Sequence, residues 1–489
     1  MSKALYQTEA IKELEESAIS QGITEDILME RAGEAAWTYL RRIWPQVRRI
    51  AVFCGGGRNG GDGFVVARLA KEANCEVTII TVGDYSKQPA SAKQMQQRCV
   101  NLNIKTQSLD EPFRFQEVDL IVDAILGTGL SRALSGEVLT AVKTINTLRL
   151  PILALDVPTG INSDTGEVMG AAVYARHTIT FIGLKMGLVS GPALNYIGTL
   201  SLATLNIQPD ILSPASVAVM YDKPTVTLLK RPRDSHKSLF GHVVIVGGNY
   251  GMPGAARIAA SAALRAGAGL VTVITRPEYA AVMNAIMPEI MCLGIDKQAD
   301  LPEHLASATV WVIGPGLGHD RWAGNMMHHV VRQKAPIVID ADGLRWLAKH
   351  HTTHANWILT PHPGEAAELL DMSTAEVQAD RLTAAKAIQQ RYGGVIILKG
   401  AGSIIAFPEG PPRVCVNIGN PGMASAGMGD CLTGVIAALV AQRVPANEAA
   451  ALAVWVHAKA GDLAAAEGGE RGLLASDLLP HIRKLLNSM

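Results

Sequence analysis

The chain has 489 residues, too many for one ordinary domain, and its 48% hydrophobic and 18% charged content is that of a globular protein with large cores. Its 44 basic and 44 acidic side chains cancel and form no long single-sign run, which argues against nucleic acid or an anionic membrane as partner. The six cysteines show neither C-x-x-C pairing nor zinc spacing, and no export signal or membrane-length apolar span is read, so buried thiols in a reducing, cytoplasmic compartment are expected.

Helical spacing of Ile11, Leu14, Ala18 and Ile19 predicts an opening helix with these residues on one face, and a second helix is expected from Asp26 to about Arg42. Short apolar runs at 50–54, 77–82, 120–125, 152–155 and 178–182 then alternate with helical stretches, the pattern of a parallel sheet in an α/β sandwich. The first run enters Gly55-Gly-Gly-Arg58-Asn59-Gly60-Gly61-Asp62-Gly63, which satisfies G-x-G-x-x-G between strand and helix, with Asp84 placed like a ribose-binding acid. That supports a nicotinamide or flavin oxidoreductase. Against it, Asp62 lies inside the loop and would face a pyrophosphate. The oxygen-rich loop can instead hold a cation through Asn59 and a phosphate through its N–H groups.

Asp123 and Asp156 also end strands, where open α/β sheets bind ligands. The loop of Gly127, Thr128, Gly129, Leu130, Ser131, Arg132 and Ala133 offers a further phosphate site. Lys185 falls just past a strand, where a lone lysine is expected to be solvated.

Prolines at 209, 214, 224 and 232 interrupt the rhythm and suggest a connection between two domains, placed at 213–230, with domains over 1–212 and 231–489. Alternation restarts with runs at 243–246, 270–274, 310–313, 337–339, 357–359 and 395–398. Antiparallel strands are expected at 404–407 and 414–418, and a long helix over 447–466. Between them, residues 419–434 read Gly-Asn-Pro-Gly-Met-Ala-Ser-Ala-Gly-Met-Gly-Asp-Cys-Leu-Thr-Gly, a glycine-rich turn running into a helix. Unpaired N–H groups and the helix dipole there favour phosphate. The carboxylate of Asp430 would repel a bound phosphate, and makes sense as a base that takes a proton from an attacking hydroxyl. Phosphoryl transfer to an alcohol is the chemistry implied, and a small-molecule kinase is one enzyme that would carry it out.

Taken together, these motifs resemble, in the first half, the NAD(P)H-hydrate epimerases and, in the second, the ribokinase-like NAD(P)H-hydrate dehydratases. The resemblance covers nearly the whole chain and implies two domains, an N-terminal Rossmann-like three-layer sandwich and a C-terminal ribokinase-like fold. It implies potassium ligands at Asn59, Asp123 and Thr159 (a position where the family commonly has serine) and reaction-centre residues at Asp156 and Lys185. Substrate-phosphate contacts are implied for Arg58 to Asp62 and for Gly127 to Ala133. Arg58 replaces a frequent asparagine. In the second half it implies hydrate contacts at Ala255, Gly316 and His362. It implies a nucleotide-phosphate cradle at Lys399, Gly400, Ala401, Gly402 and Ser403, a nucleotide contact at Gly429, and Asp430 as acid/base. Ala426 replaces a frequent glycine. The expected substrates are the hydrates of NADH and NADPH, with ADP as co-substrate after the bacterial relatives, magnesium with the nucleotide, and a homo-oligomeric assembly.

Overall fold

The computed structural model describes residues 3–111, 115–207, 216–224 and 226–489, which divide into two compact units, Met1–Val219 and Met220–Met489. The expected connection lies partly outside the described residues; within it, Ser216–Tyr221 is a strand.

The first unit carries a seven-stranded sheet, parallel throughout. Its order is Lys105–Ser108, Glu76–Val82, Arg49–Gly55, Leu120–Ala124, Ile152–Leu155, His177–Phe181 and Thr199–Ala203. Chain direction across the sheet reverses between Arg49–Gly55 and Leu120–Ala124, and this switch point opens a crevice at the carboxyl ends of the strands. Helices Glu25–Ile43, Arg58–Glu72 and Ala90–Asn101 bury one face with Val52, Val122 and Leu153, while Gly136–Thr147 covers the other with Phe53 and Ile121. A second, two-stranded parallel pairing joins Lys3–Tyr6 to Leu184–Lys185.

The opening helix, Thr8–Ser20, buries Ile11 and Ala18 as expected, with Leu14 half-buried, but Ile19 is 42% exposed, and Ala10 is buried in addition. The segment read as a loop from Arg58 to Asp62 is the first turn of the helix Arg58–Glu72. Its glycines are there for close approach: a Cβ at Gly60 would lie 1.8 Å from the Gly55 carbonyl, and one at Gly61 2.4 Å from Met29 Sδ.

The second unit is built on a sheet ordered Met291–Gly294, Leu270–Thr275, His242–Val246, Val310–Ile313, Ile337–Ile339, Trp357–Leu359, Val395–Leu398, Ile404–Ala406 and Arg413–Cys415. Neighbours are parallel as far as Val395–Leu398, and the last two strands are antiparallel, as expected. Pro253–Arg265, Met428–Ala441, Ala446–Gly468 and Leu478–Leu486 bury one face against Val243, Ile245, Val312 and Val338. Gly434 lets two of these helices touch, since a Cβ there would lie 2.1 Å from the Ala259 carbonyl. The α/β class expected from sequence holds in both units. Among the described residues, no helix is long and apolar enough to cross a membrane.

Candidate functional sites

A cleft of about 310 Å³ lies at the switch point of the first unit. Its polar lining includes Glu15, Arg58, Asn59, Asp62, Asp156 and Lys185. Asp156 has φ +63, left-handed backbone that costs a non-glycine residue about 1 kcal/mol and that aspartate tolerates better than most. Its Oδ1 accepts from Lys185 Nζ at 2.5 Å, from Thr180 Oγ1 at 3.2 Å and from the Phe181 N–H at 3.3 Å. Lys185 is not solvated: its side chain is 1% exposed, and Nζ also donates to Thr180 Oγ1 and the Phe181 carbonyl.

Beside them, Asp123 is fully buried and accepts from Thr159 Oγ1 at 2.7 Å, from the Thr159 N–H at 2.8 Å and from the Ile125 N–H at 3.3 Å. Burial pushes its carboxyl up to about 6 against those bonds. Asn59 is 7% exposed, yet among the described residues neither its amide nitrogen nor its amide oxygen has a partner. Buried polar groups are rarely left so. The amide, carboxylate and hydroxyl oxygens of Asn59, Asp123 and Thr159 are hard donors of the kind a cation takes.

Gly127, Thr128 and Gly129 line this cleft. Leu130 instead packs on the core, and Ser131, Arg132 and Ala133 are exposed outside the cleft lining. Arg58 reaches Glu25 at 2.5 Å and Glu15 at 3.5 Å. Burial first, and then Asp156 and Glu15, push Asp62 well above the usual carboxylate range. Burial likewise raises Glu15, against Arg58. Asp84 lies outside the cleft lining, exposed in a turn closed by the Ser86 N–H at 2.7 Å, which removes the ribose-binding acid of the oxidoreductase reading.

In the second unit the candidate residues follow successive parallel strands and so collect at one edge of the sheet. Gly314 has φ +124, and a Cβ there would lie 1.7 Å from the Asp340 carbonyl. Gly316, at φ +57, packs against Met252 and Ala255. His362 caps the helix Pro363–Leu370: its Nδ1 accepts from the Gly364 N–H at 2.9 Å, and Glu365 returns a bond from the His362 N–H at 2.8 Å. Burial and the Lys399 charge lower His362 from its ordinary value.

Lys399 Nζ lies 2.6 Å from Asp340 Oδ1 and 3.8 Å from Glu365 Oε2. Burial opposes the ammonium, but these carboxylates hold it above its ordinary value. Gly400 has φ +137, and Ser403 Oγ closes the turn from Lys399 to Ser403 by donating to the Gly400 carbonyl at 2.9 Å, with Ala401 and Gly402 between. Buried Arg381 donates to the Lys399 carbonyl at 3.2 Å.

Gly427, at φ +86, starts the helix Met428–Ala441, and Asp430 stands in its first turn. A Cβ at Gly429 would lie 3.2 Å from Lys399 Nζ, so the helix start meets the ammonium directly. Burial and the Asp340 carboxylate push Asp430 up to about 6, against Lys399. A carboxyl so poised can exchange a proton near neutral pH.

Sequence reasoning missed Glu15 in the first site and Asp340 in the second. Asp340 directly follows the strand Ile337–Ile339, the same strand-end position that flagged Asp123 and Asp156.

The NAD(P)H-hydrate dehydratase family matches residues 243–484, and the family described as YjeF-related protein N-terminus matches residues 25–187. The bifunctional NAD(P)H-hydrate repair enzyme Nnr of Coxiella burnetii is 46% identical over 99% of this chain and 99% of its own length. The enzyme of the same name from Escherichia coli is 41% identical over 96% of this chain and 92% of its own. Among solved structures, the ADP/ATP-dependent NAD(P)H-hydrate dehydratase of Bacillus subtilis, co-crystallised with ATP and Mg²⁺, is 30% identical. It covers 53% of this chain and 95% of its own, with a TM-score of 0.48.

Proposed function

The chain belongs to the family of bifunctional NAD(P)H-hydrate repair enzymes, and we propose how its two units divide that work. The enzyme repairs hydrated nicotinamide cofactors. It interconverts the R and S hydrates of NADH and NADPH, and it dehydrates the S form to NAD(P)H at the expense of ADP, giving AMP and phosphate. Residues 1–212 are assigned to the epimerase, 231–489 to the dehydratase, and 213–230 to the link between them.

The observation that carries the dehydratase reading is Asp430 in the first turn of a helix whose start touches Lys399. Asp430 removes the proton of the hydrate hydroxyl, and that oxygen attacks the terminal phosphoryl group of the nucleotide as its bond to the departing AMP breaks. The ring nitrogen then pushes its lone pair into the ring, the C–O bond breaks with phosphate leaving, and the resulting iminium ion loses a proton from the adjacent ring carbon to water, which restores the ring double bond. Lys399 and the turn through Gly400, Ala401, Gly402 and Ser403, with Gly429, hold nucleotide phosphates by charge and N–H donors. Ala255, Gly316 and His362 form the hydrate wall. Magnesium accompanies the nucleotide and offsets phosphate charge when bound.

In the epimerase unit, Asp156 is the acid/base and Lys185 fixes its carboxylate by their 2.5 Å bond. The first helical turn from Arg58 through Gly60 and Gly61 to Asp62, with Gly127, Thr128 and Gly129 of the loop that lines the cleft, receives the substrate phosphates. Potassium held by Asn59, Asp123 and Thr159 would offset their charge. The orphaned Asn59 amide supports that assignment. We place the enzyme in the cytoplasm as a homo-oligomer, which light scattering of the purified protein would test.

The deciding experiment mixes the protein with NADPH-hydrate epimers, potassium, magnesium and either ADP or ATP, and follows the returning dihydronicotinamide absorbance. Full recovery with ADP is expected. Asp430→Asn should abolish recovery yet still bind nucleotide, and Asp156→Asn should recover only the S fraction quickly. Accumulation of a stable phosphorylated product would instead mark a kinase.

A further inference from the structure

Asp340 is 1% exposed, and both of its carboxylate oxygens are engaged. Oδ1 holds Lys399 Nζ at 2.6 Å, and Oδ2 accepts from Thr433 Oγ1 at 3.0 Å. Thr433 stands three residues after Asp430 on the same helix, so the two share a face. A Cβ at Gly429 would lie 3.3 Å from Asp340 Oδ2, which puts this carboxylate directly against the first helical turn. There the helix dipole favours its negative charge. Its backbone is fixed as well: the Asp340 N–H donates to the Ile313 carbonyl, and its own carbonyl abuts Gly314.

We infer that Asp340 is a positioning residue for dehydration: its fixed negative charge keeps Asp430 a competent base, and its grip on Lys399 keeps that ammonium from neutralising Asp430. The inference rests on Asp430 being the base. Two like charges near one helix start favour the proton on the less stabilised carboxyl. Asp340 has the ammonium and two hydroxyl donors, from Thr360 and Thr433; these outweigh its burial and hold it below the usual carboxylate range. Asp430 faces Asp340, Lys399 and Asp342, and Lys399 in turn faces Glu365. Within that set Asp340 is the largest charge acting on Asp430. A base that must take a hydroxyl proton works best when its affinity for that proton lies near the working pH.

The test is the pH profile of NADH recovery from its S hydrate with saturating nucleotide and magnesium. The unmodified enzyme should show an acid limb near the value of about 6 expected for Asp430. In Asp340→Asn the limb should move to lower pH. A fall of about one unit raises the share of the plateau rate retained at about pH 5 roughly fivefold. Asp340→Glu keeps the charge and should return the limb to its original place. A lowered plateau with an unmoved limb in Asp340→Asn would make Asp340 merely structural and overturn the inference. Absence of any NADH recovery by the unmodified enzyme would instead remove the reading of Asp430 itself. Carboxyl-carbon NMR of the unmodified protein, with Asp430 assigned through Asp430→Asn, checks the raised carboxyl on which the inference depends should Asp340→Asn fail to fold. Titration of Asp430 at an ordinary aspartate value would overturn the inference.

Discussion

Replacing Lys185 by methionine isolates the buried ion pair of the first site. The lysine side chain is 1% exposed and that of Asp156 14%, so little water can take over the lost bond. Breaking a buried pair from one side costs about 3–5 kcal/mol. Asp156 keeps the Phe181 N–H and the Thr180 hydroxyl, at 3.3 and 3.2 Å, and it has some access to water. The lower end, about 3 kcal/mol, is therefore expected. In Lys185→Met with Asp156→Asn the uncompensated charge is gone, so the double variant should be less destabilised than the sum of the singles by about 1–2 kcal/mol. Urea unfolding followed by circular dichroism measures all four proteins, with the transition of the first unit fitted separately, since two units need not unfold as one. Additive single effects, or a Lys185→Met protein as stable as the unmodified one, would refute the claim that the two groups are coupled in the interior.

Three other outcomes are expected. Thr159→Val removes the hydroxyl that donates to buried Asp123 at 2.7 Å, costing about 1–3 kcal/mol and weakening potassium activation of epimerisation, whereas Thr159→Ser should retain both in thermal melts and rate assays. Gly434→Ala puts a methyl 2.1 Å from the Ala259 carbonyl, so overpacking of about 1–3 kcal/mol should exceed the gain of about 1 kcal/mol in helix propensity, and calorimetry should show a lower melting temperature. Glu365 is pushed up to about 7, chiefly by burial. A carboxyl raised on folding stabilises most below its unfolded value, and that stability is lost as pH rises through the folded value. The second unit should therefore lose stability between about pH 4.5 and 7, and Glu365→Gln should flatten that fall in melting curves taken across the range.

The strands that carry both sites were legible because central parallel strands are continuous apolar runs, as at 152–155 and 395–398. Lys105–Ser108 and Met291–Gly294 were not, because they are short edge strands: the first is polar, and neither buries both faces. The glycines near Arg58 were visible but misread. Composition shows that glycine is needed, whereas only the fold shows that the need is contact with the Gly55 carbonyl and Met29 rather than a turn. Lys185 was expected in solvent because its partner, Asp156, lies 29 residues away and nothing local announces the pairing. Asp430 could be read from its own glycine-rich surroundings. Asp340 shares the strand-end position that flagged Asp123 and Asp156, but its partners Lys399 and Thr433 lie 59 and 93 positions away, so which charge and hydroxyl it holds is written in tertiary contacts alone.

The left-handed backbone of Asp156 limits which replacements say anything about its carboxylate. Alanine has no side-chain amide or carboxylate to support that conformation and would tend to relax the peptide towards ordinary angles, shifting the neighbouring turn through Val157 and Thr159 that presents a hydroxyl to Asp123. An alanine scan would then report a lost carboxylate and a displaced Thr159–Asp123 pair as one defect. Asparagine tolerates the same angles and glycine adopts them without strain. The pair therefore separates chemistry from conformation: asparagine keeps the backbone and a polar tip, and glycine keeps the backbone alone.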